Sequence, residues 1–134
     1  MIKINDIILK VGESKNVEVY LSEDLFQEYY EKFNISLDIS ENVMDAYNYF
    51  NDLFKTIWKD FTPREASSMS SDYYEYFDRV LQSNGYLKIN STTNKIVFER
   101  PLLEFDTLYV FNKRKAESFI YDFQEYYKLG NKAV

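Results

Sequence analysis

Apolar and polar positions alternate near the start of the chain and then change to a helical spacing. Residues 2–11 are rich in Ile, Leu and Val, residues 12–14 form a turn signal, and residues 16–21 alternate apolar with polar. This arrangement predicts two neighbouring strands or a β-hairpin. Ser22 then precedes two acids, which is typical of a helix N-cap, so we expect a helix that runs to about Phe33.

The clearest helical pattern covers residues 41–61, after a linker or short extended piece at residues 34–39. Ser40 is the expected N-cap of this helix. Apolar residues recur at steps of three and four, which predicts one buried face. That face comprises Val43, Tyr47, Phe50, Phe54, Ile57 or Trp58, and Phe61.

Residues 62–84 contain two signals for the start of a helix. Thr62-Pro63-Arg64-Glu65 has the form of a capping box with proline at the first helical position. Ser71 is a second candidate cap, and Asn84-Gly85 is typical of a helix end. We expect either one long helix or two helices joined by a tight turn, and the two caps favour two helices.

The last third of the chain predicts strands followed by a helix. Residues 86–90 and 95–99 indicate a hairpin with a four-residue loop, and residues 107–111 indicate a further strand. A helix is expected over residues 113–128. Its signals are Asn112 at the start, Ala116, Ile120, Phe123 and Tyr127 on the core face, and Gly130 after the end.

The order of elements from 41 to 99 resembles a winged helix-turn-helix. The run Ser83-Asn84-Gly85-Tyr86-Leu87-Lys88-Ile89 is similar to the passage from a recognition helix into the first wing strand. The resemblance implies that Ser71–Gln82 is the recognition helix. The expected fold is therefore α+β in a single domain, 1–134. Its parts are a hairpin plus acidic helix (1–33), a helical core resembling a winged helix-turn-helix (41–99), and a strand plus helix (107–130).

The charges on the expected recognition helix do not suit DNA. It carries three acids near its start against one base, Arg79, whereas a helix in the major groove normally brings Arg, Lys, Asn or Gln to the bases. Direct binding of duplex DNA is therefore not expected, although the wing lysines are able to touch phosphate. The secondary candidates for partner contact are Tyr74, Glu75, Lys88, Lys95, Lys113, Arg114 and Lys115.

The run Lys113-Arg114-Lys115 has two interpretations. Three cations in the first turn of a helix oppose the helix dipole, so a contact with an anion or an acidic partner is one explanation. The other is simple exposure to solvent with screening of the charges, and we favour it.

Composition removes several kinds of chemistry. The chain has no His and no Cys, which excludes imidazole bases, Cys/His zinc sites, and triads that need either residue. The three glycines are isolated, so no phosphate-binding loop is expected. We expect a non-enzymatic protein with no cofactor and no metal site. No apolar run of membrane-spanning length occurs, so the cytoplasm is the expected location.

Acidic residues are concentrated in one stretch of the chain. The net charge is −6, and residues 23–52 hold eight acids against Lys32 alone. Helical spacing predicts two acidic faces that together form the primary candidate for partner binding. These faces comprise Asp24, Glu28 and Glu31 on the first helix, and Glu41, Asp45 and Asp52 on the second.

Size, charge and amino-acid composition suggest a functional hypothesis. Lys outnumbers Arg by 12 to 4, and Asn, Ile, Phe and Tyr are also frequent, which is typical of a low-GC bacterium or its phages and mobile elements. The expected function is an inhibitor that imitates nucleic acid and blocks a basic surface on a bacterial defence nuclease, of the anti-CRISPR or anti-restriction type. The alternative is a winged-helix transcription regulator that binds DNA through its wing and residues 113–115.

Overall fold

A computed structural model of the chain describes residues 2–101 and 106–129. It contains seven strands and three α-helices, with single 3-10 turns at Ile4–Asp6 and Met69–Ser71. The elements in chain order are β1 (Ile7–Val11), β2 (Val17–Leu21), α1 (Glu23–Phe26), β3 (Asn34–Asp38), α2 (Val43–Ile57), β4 (Glu75–Asp78), β5 (Ser83–Asn90), β6 (Lys95–Glu99), β7 (Thr107–Phe111) and α3 (Lys113–Tyr127).

The strands form two antiparallel sheets. One has three strands in the order β1-β2-β7, and the other has four in the order β3-β6-β5-β4. Ile2 extends the second sheet through a parallel bridge to Leu37. The fold is α+β in one compact domain, as expected from the sequence. Both predicted hairpins are confirmed, because β1 pairs with β2 and β5 pairs with β6 around a four-residue loop.

Aromatic rings from α2, α3 and β7 form the centre of the core. Phe50 and Phe54 of α2 lie 6.3 Å and 5.1 Å, respectively, from the ring of Phe111 in β7. Phe119 of α3 lies 5.1 Å from the same ring and 5.3 Å from Phe50. All four are fully buried, in the tilted and edge-to-face geometries that aromatic pairs prefer. The helical spacing in the sequence therefore identified the core faces of α2 and α3 correctly.

The ends of the first two helices differ from the prediction. The helix expected to reach Phe33 is a single turn, α1, and Ser22 forms no side-chain cap. Helix α2 is capped by Asn42, whose side chain accepts from the Asp45 amide, and not by Ser40. The reason at Ser40 is local, because its hydroxyl and its amide both donate to Asp38. Residues 34–39 are extended, as one of the two alternatives stated.

The prediction of one or two helices over residues 62–84 is wrong. This region contains an irregular segment, one 3-10 turn, strand β4 and the start of β5. Thr62 does not cap a helix, because no helix follows it, and its amide donates instead to Glu117 of α3. Asn84 and Gly85 lie in the middle of a strand pair and do not end a helix. No recognition helix is present over 71–82, so the resemblance to a winged helix-turn-helix is not confirmed.

The C-terminal elements match the prediction closely. Strand β7 covers the expected residues, and the Asn112 side chain accepts from the Lys115 amide as an N-cap. Ala116, Ile120 and Phe123 are fully buried, and Tyr127 packs against them at the edge of the core. The predicted cap at Gly130 lies outside the described residues.

Gly85 is required by the ring that crosses it. It lies directly opposite Tyr76 in the β4–β5 pair, and the Tyr76 ring covers it. A β-carbon at position 85 would lie 2.2 Å from Cε1 of Tyr76. The buried ring has no free space to move into, because its centroid is 4.6 Å from that of Tyr109.

We expect Gly85→Ala to lower the free energy of unfolding by about 1–3 kcal/mol, since it overpacks a buried ring. Gly12→Ala is the matched control, because its β-carbon would lie close only to the flexible end of Glu18 and would meet the Asn16 carbonyl at an ordinary van der Waals distance of 3.7 Å. Urea unfolding monitored by circular dichroism measures both variants. Equal effects for the two would contradict the role assigned to the Tyr76 ring.

Candidate protein-interaction surface

Acidic side chains line a groove beside the first half of α2. The groove has a volume of about 620 Å³ and lies between the N-terminal segment, the end of β3 and α2. Positions 48, 49 and 52 share one face of the helix with position 45, because they follow it by three, four and seven residues. The polar lining of this acidic groove comprises Asp38, Glu41, Asp45 and Asp52 together with Lys3, Asn5, Asn42, Asn48 and Tyr49.

Lys3 neutralises one end of the acidic groove. Its ammonium lies 2.9 Å from Glu41 and 3.2 Å from Asp38, and these hydrogen bonds raise the pKa of Lys3. Hydrogen bonds from the hydroxyl and the amide of Ser40, and then from Lys3, lower the pKa of Asp38 to about 2. Both carboxylates at this end are therefore engaged within the protein.

The other end of the acidic groove remains uncompensated. Asp45 and Asp52 are exposed, and neither forms an ion pair within residues 2–101 and 106–129. With four carboxylates and one ammonium in its lining, the groove keeps an excess of negative charge. Tyr49 adds an aromatic wall whose orientation is fixed, because its hydroxyl donates to the Ile7 carbonyl at 2.8 Å.

The six acids predicted for partner binding do not form one surface. Glu41, Asp45 and Asp52 meet in the acidic groove, although Glu41 precedes α2 instead of lying on it. Asp24, Glu28 and Glu31 are exposed on α1 and the turns that follow it. Glu28 and Glu31 line a separate concavity beside Tyr30 that shares no lining residue with the acidic groove. The structure therefore places three of the predicted acids in the acidic groove and two, Glu28 and Glu31, in a separate concavity, whereas Asp24 lines neither.

The secondary candidates on the four-stranded sheet lie at or near its outer face. Tyr74 is 53% exposed and its ring centroid lies 5.5 Å from that of Tyr86. Glu75 accepts a hydrogen bond from the Asn84 side chain. Lys88 is exposed in β5, and Lys95 begins β6 half-buried. Tyr74, Tyr86 and Lys88 line a shallow depression, whereas Glu75 and Lys95 lie outside its lining.

The interpretation favoured for the cationic run 113–115, simple exposure to solvent, does not describe the structure. Arg114 donates to the carbonyls of Arg64 and Glu65 at 3.3 and 2.6 Å. Lys115 donates to the carbonyls of Asp72 and Glu75 at 2.8 and 2.6 Å. Burial lowers the pKa of Lys115. Two of the three cations therefore bind main-chain carbonyls of the same protein, which supports neither of the sequence-based interpretations.

The polar face of α3 holds residues 62–74, here called the strap. Glu117 is 2% exposed and accepts from the Thr62 amide and from Nε of Arg64, at 3.0 and 3.1 Å. Ser118 donates to the Ser71 carbonyl at 2.6 Å. Both residues were missed, because helical spacing places positions 117 and 118 away from the core face and gives no sign that the strap covers them.

A third missed residue is Arg100, which is completely buried. Its Nε donates to the Lys32 carbonyl at 3.0 Å, and its Nη2 donates to the Tyr30 carbonyl at 2.7 Å. Burial lowers the pKa of the guanidinium. Arg100 thus satisfies the carbonyls of the turns after α1, where a longer helix had been expected. No local signal in the sequence distinguishes it from an exposed strand residue.

No group of three or more acidic residues within the described residues is arranged to hold a metal ion. Nor does any helix in that part of the chain combine the length and the apolarity needed to cross a bilayer. No family model matches the sequence, and no curated protein or solved structure is significantly similar to it. Any functional conclusion therefore rests on the geometry of the site.

We expect Lys115→Met to lower the free energy of unfolding by about 1–3 kcal/mol, because it leaves two carbonyls without their charged donor. Lys113→Met is the matched control, since Lys113 forms no hydrogen bond through its side chain to any described residue. Thermal and urea unfolding of both variants measure the difference. Equal stability for the two would show that the strap does not depend on Lys115.

Asp122 gives the stability a predictable dependence on pH. Burial, reinforced by the charges of Asp72, Glu65 and Glu125, raises its pKa, although the Tyr73 hydroxyl donates to it at 2.7 Å. A carboxyl whose pKa is raised by folding destabilises the protein as pH rises from the unfolded pKa through the folded one. We expect Asp122→Asn to be more stable than wild type at pH 7, with the difference shrinking toward pH 3. Parallel stability curves would contradict this.

Proposed function

We propose that this chain is a non-enzymatic inhibitor that presents the acidic groove to a basic nucleic-acid-binding surface of another protein. The observation that carries the proposal is the uncompensated pair of exposed carboxylates, Asp45 and Asp52, on one face of a rigid helix. The proposed target is a bacterial defence nuclease of the CRISPR or restriction type. The inhibitor would be encoded by a phage or mobile element and would act in the cytoplasm of the host.

The spacing of these carboxylates supports mimicry of a phosphate backbone. Seven residues separate Asp45 from Asp52, which places them about 10 Å apart along the helix axis. Three steps of one DNA strand cover a similar rise, at about 3.4 Å per step. Because α2 is anchored by Phe50 and Phe54 in the core, the two charges are held without further ordering on binding.

The rest of the lining suits arginine in particular. Tyr49 is 38% exposed, and an aromatic face is able to stack on a guanidinium. Asn42 and Asn48 supply side-chain amides that accept hydrogen bonds from the same group. Arginine is the residue that nucleic-acid-binding proteins use to contact phosphate and guanine, so a surface that binds arginine competes with nucleic acid.

Two observations argue against the alternative, a winged-helix transcription regulator. No α-helix covers residues 71–82, where the resemblance to a winged helix-turn-helix implied a recognition helix, and β4 lies there instead. Arg114 and Lys115, which were expected to contact phosphate, bind carbonyls of the strap and of β4. We therefore do not carry DNA reading forward as a second proposal.

Charge reversal in the acidic groove tests the proposal. We expect Asp45→Lys with Asp52→Lys to abolish capture of the target from a low-GC bacterial lysate, while the free energy of unfolding changes by less than about 1 kcal/mol. The matched control is Glu28→Lys with Glu31→Lys, which changes the net charge equally outside the groove. The captured protein is identified by mass spectrometry, and duplex DNA added as competitor must displace it.

Two results would contradict the proposal. One is capture that survives reversal in the acidic groove or is lost equally in the control. The other is binding of the wild-type chain itself to duplex DNA at about 150 mM salt, where phosphate contacts dominate affinity. For a true complex, we expect the affinity to fall steeply as salt increases.

A further inference from the structure

Strand β4 is an edge of the four-stranded sheet. It pairs with β5 on one side, and no strand among the described residues pairs with its other side. The Leu87 amide donates to the Tyr74 carbonyl at 2.9 Å, which fixes the phase of the hydrogen bonds. Since the bonding direction alternates along a strand, Tyr76 and Asp78 bond to β5. Glu75 and Phe77 therefore direct their amides and carbonyls away from the sheet.

This outer edge is closed at both ends and open in the middle. Lys115 donates to the Glu75 carbonyl at 2.6 Å, and the Gln82 side chain donates to the Arg79 carbonyl at 2.7 Å. The amide and the carbonyl of Phe77 receive no such partner from the described residues. An unpaired edge of this kind is a template for another strand, and here the template is limited to about one residue pair on either side of Phe77.

The side chains around the open position are apolar and exposed. Phe77 is 56% exposed, and Val80 in the following turn is 88% exposed. Glu75 shares the outer face with Phe77, because alternate side chains of a strand point to the same side. Arg79 follows one position after the strand ends, so an acid and a base stand two residues before and two residues after the central aromatic residue.

We propose that a second copy of this chain pairs with β4, antiparallel, around a two-fold axis through Phe77. The Phe77 amide then donates to the carbonyl of the partner's Phe77, and the reverse bond is equivalent by symmetry. Glu75 then lies beside the turn that begins at the partner's Arg79, whose long side chain is able to reach the carboxylate, and this gives two ion pairs related by the axis. Opposite charges directly across an antiparallel pair stabilise it, and adjacent aromatic rings add to this.

Charge self-complementarity selects a second copy over another occupant. The order acid, aromatic, base is complementary to itself only when the chain is antiparallel and centred on the aromatic residue. A parallel partner would not satisfy the same pairing. Because the paired stretch is short, the interface is smaller than the standard size of about 800 Å² per partner. The association is therefore expected to be weak.

Sedimentation velocity from about 10 μM to about 1 mM, in 150 mM salt, measures the association. We expect Phe77→Lys to weaken it at least tenfold, because it places two ammonium groups side by side at the axis. Val11→Lys is the matched control: Val11 is 50% exposed on β1, the edge strand of the other sheet. A chain that is monomeric at 1 mM would overturn the proposal and leave the edge to an extended segment of another protein. Equal weakening by both variants would also overturn it.

A charge swap tests the pairing register. Arg79→Glu alone should weaken association several-fold, because it sets like charges opposite each other. Glu75→Arg combined with Arg79→Glu should restore it, since the swap recreates both ion pairs. Thermal melts confirm that each variant is folded. Failure of the double variant to recover, or unchanged amide exchange at Phe77 on association, would exclude the two-fold edge.

Discussion

Main-chain carbonyls bound by partly or wholly buried cations are the interaction on which the irregular parts of this structure depend. Lys115 and Arg114 bind carbonyls of the strap and of β4, and Arg100 binds those of the turns after α1. An unsatisfied buried carbonyl costs about 1–3 kcal/mol. Neither the strap nor the turns after α1 have the hydrogen-bond ladder of a helix or a sheet to satisfy their carbonyls. A long cationic side chain replaces that ladder and anchors loops on a scaffold of sheets and helices.

Because these cations bind carbonyls, part of the acidic groove is left without a neutralising partner. Four cations in the second half of the chain bond to groups within the protein and so do not neutralise the acids around α2: Arg64, Arg100, Arg114 and Lys115. Lys3, in the first half of the chain, neutralises two acids of the groove, Asp38 and Glu41. The charge asymmetry visible in the sequence therefore survives folding as a negative surface, although its extent is smaller than the sequence suggested.

Elements with strong local signals were predictable, and elements defined by distant partners were not. Helical spacing located Phe50, Phe54 and Phe123 in the core, and turn residues located both hairpins. Residues 62–84 failed because caps such as Thr62 and Ser71 act equally well outside helices. In this structure the Ser71 hydroxyl oxygen accepts hydrogen bonds from two amides of its own loop, and the Thr62 amide donates to Glu117. Tyr73 and Phe77 suit a helix face by spacing, yet the pairing of β4 with β5 buries Tyr76 and leaves Phe77 exposed.

The pairing of β2 with β7 affects how the protein is made. These strands are neighbours in the three-stranded sheet but are separated by about 90 residues of sequence, and closing such a loop is slow. During synthesis, β2 and the hairpin it forms with β1 must wait with one edge unpaired until β7 leaves the ribosome. Phe111, on which the aromatic core converges, arrives in the same strand. The domain is thus expected to fold after translation of β7 and not progressively, so premature termination before this strand yields a chain without a core.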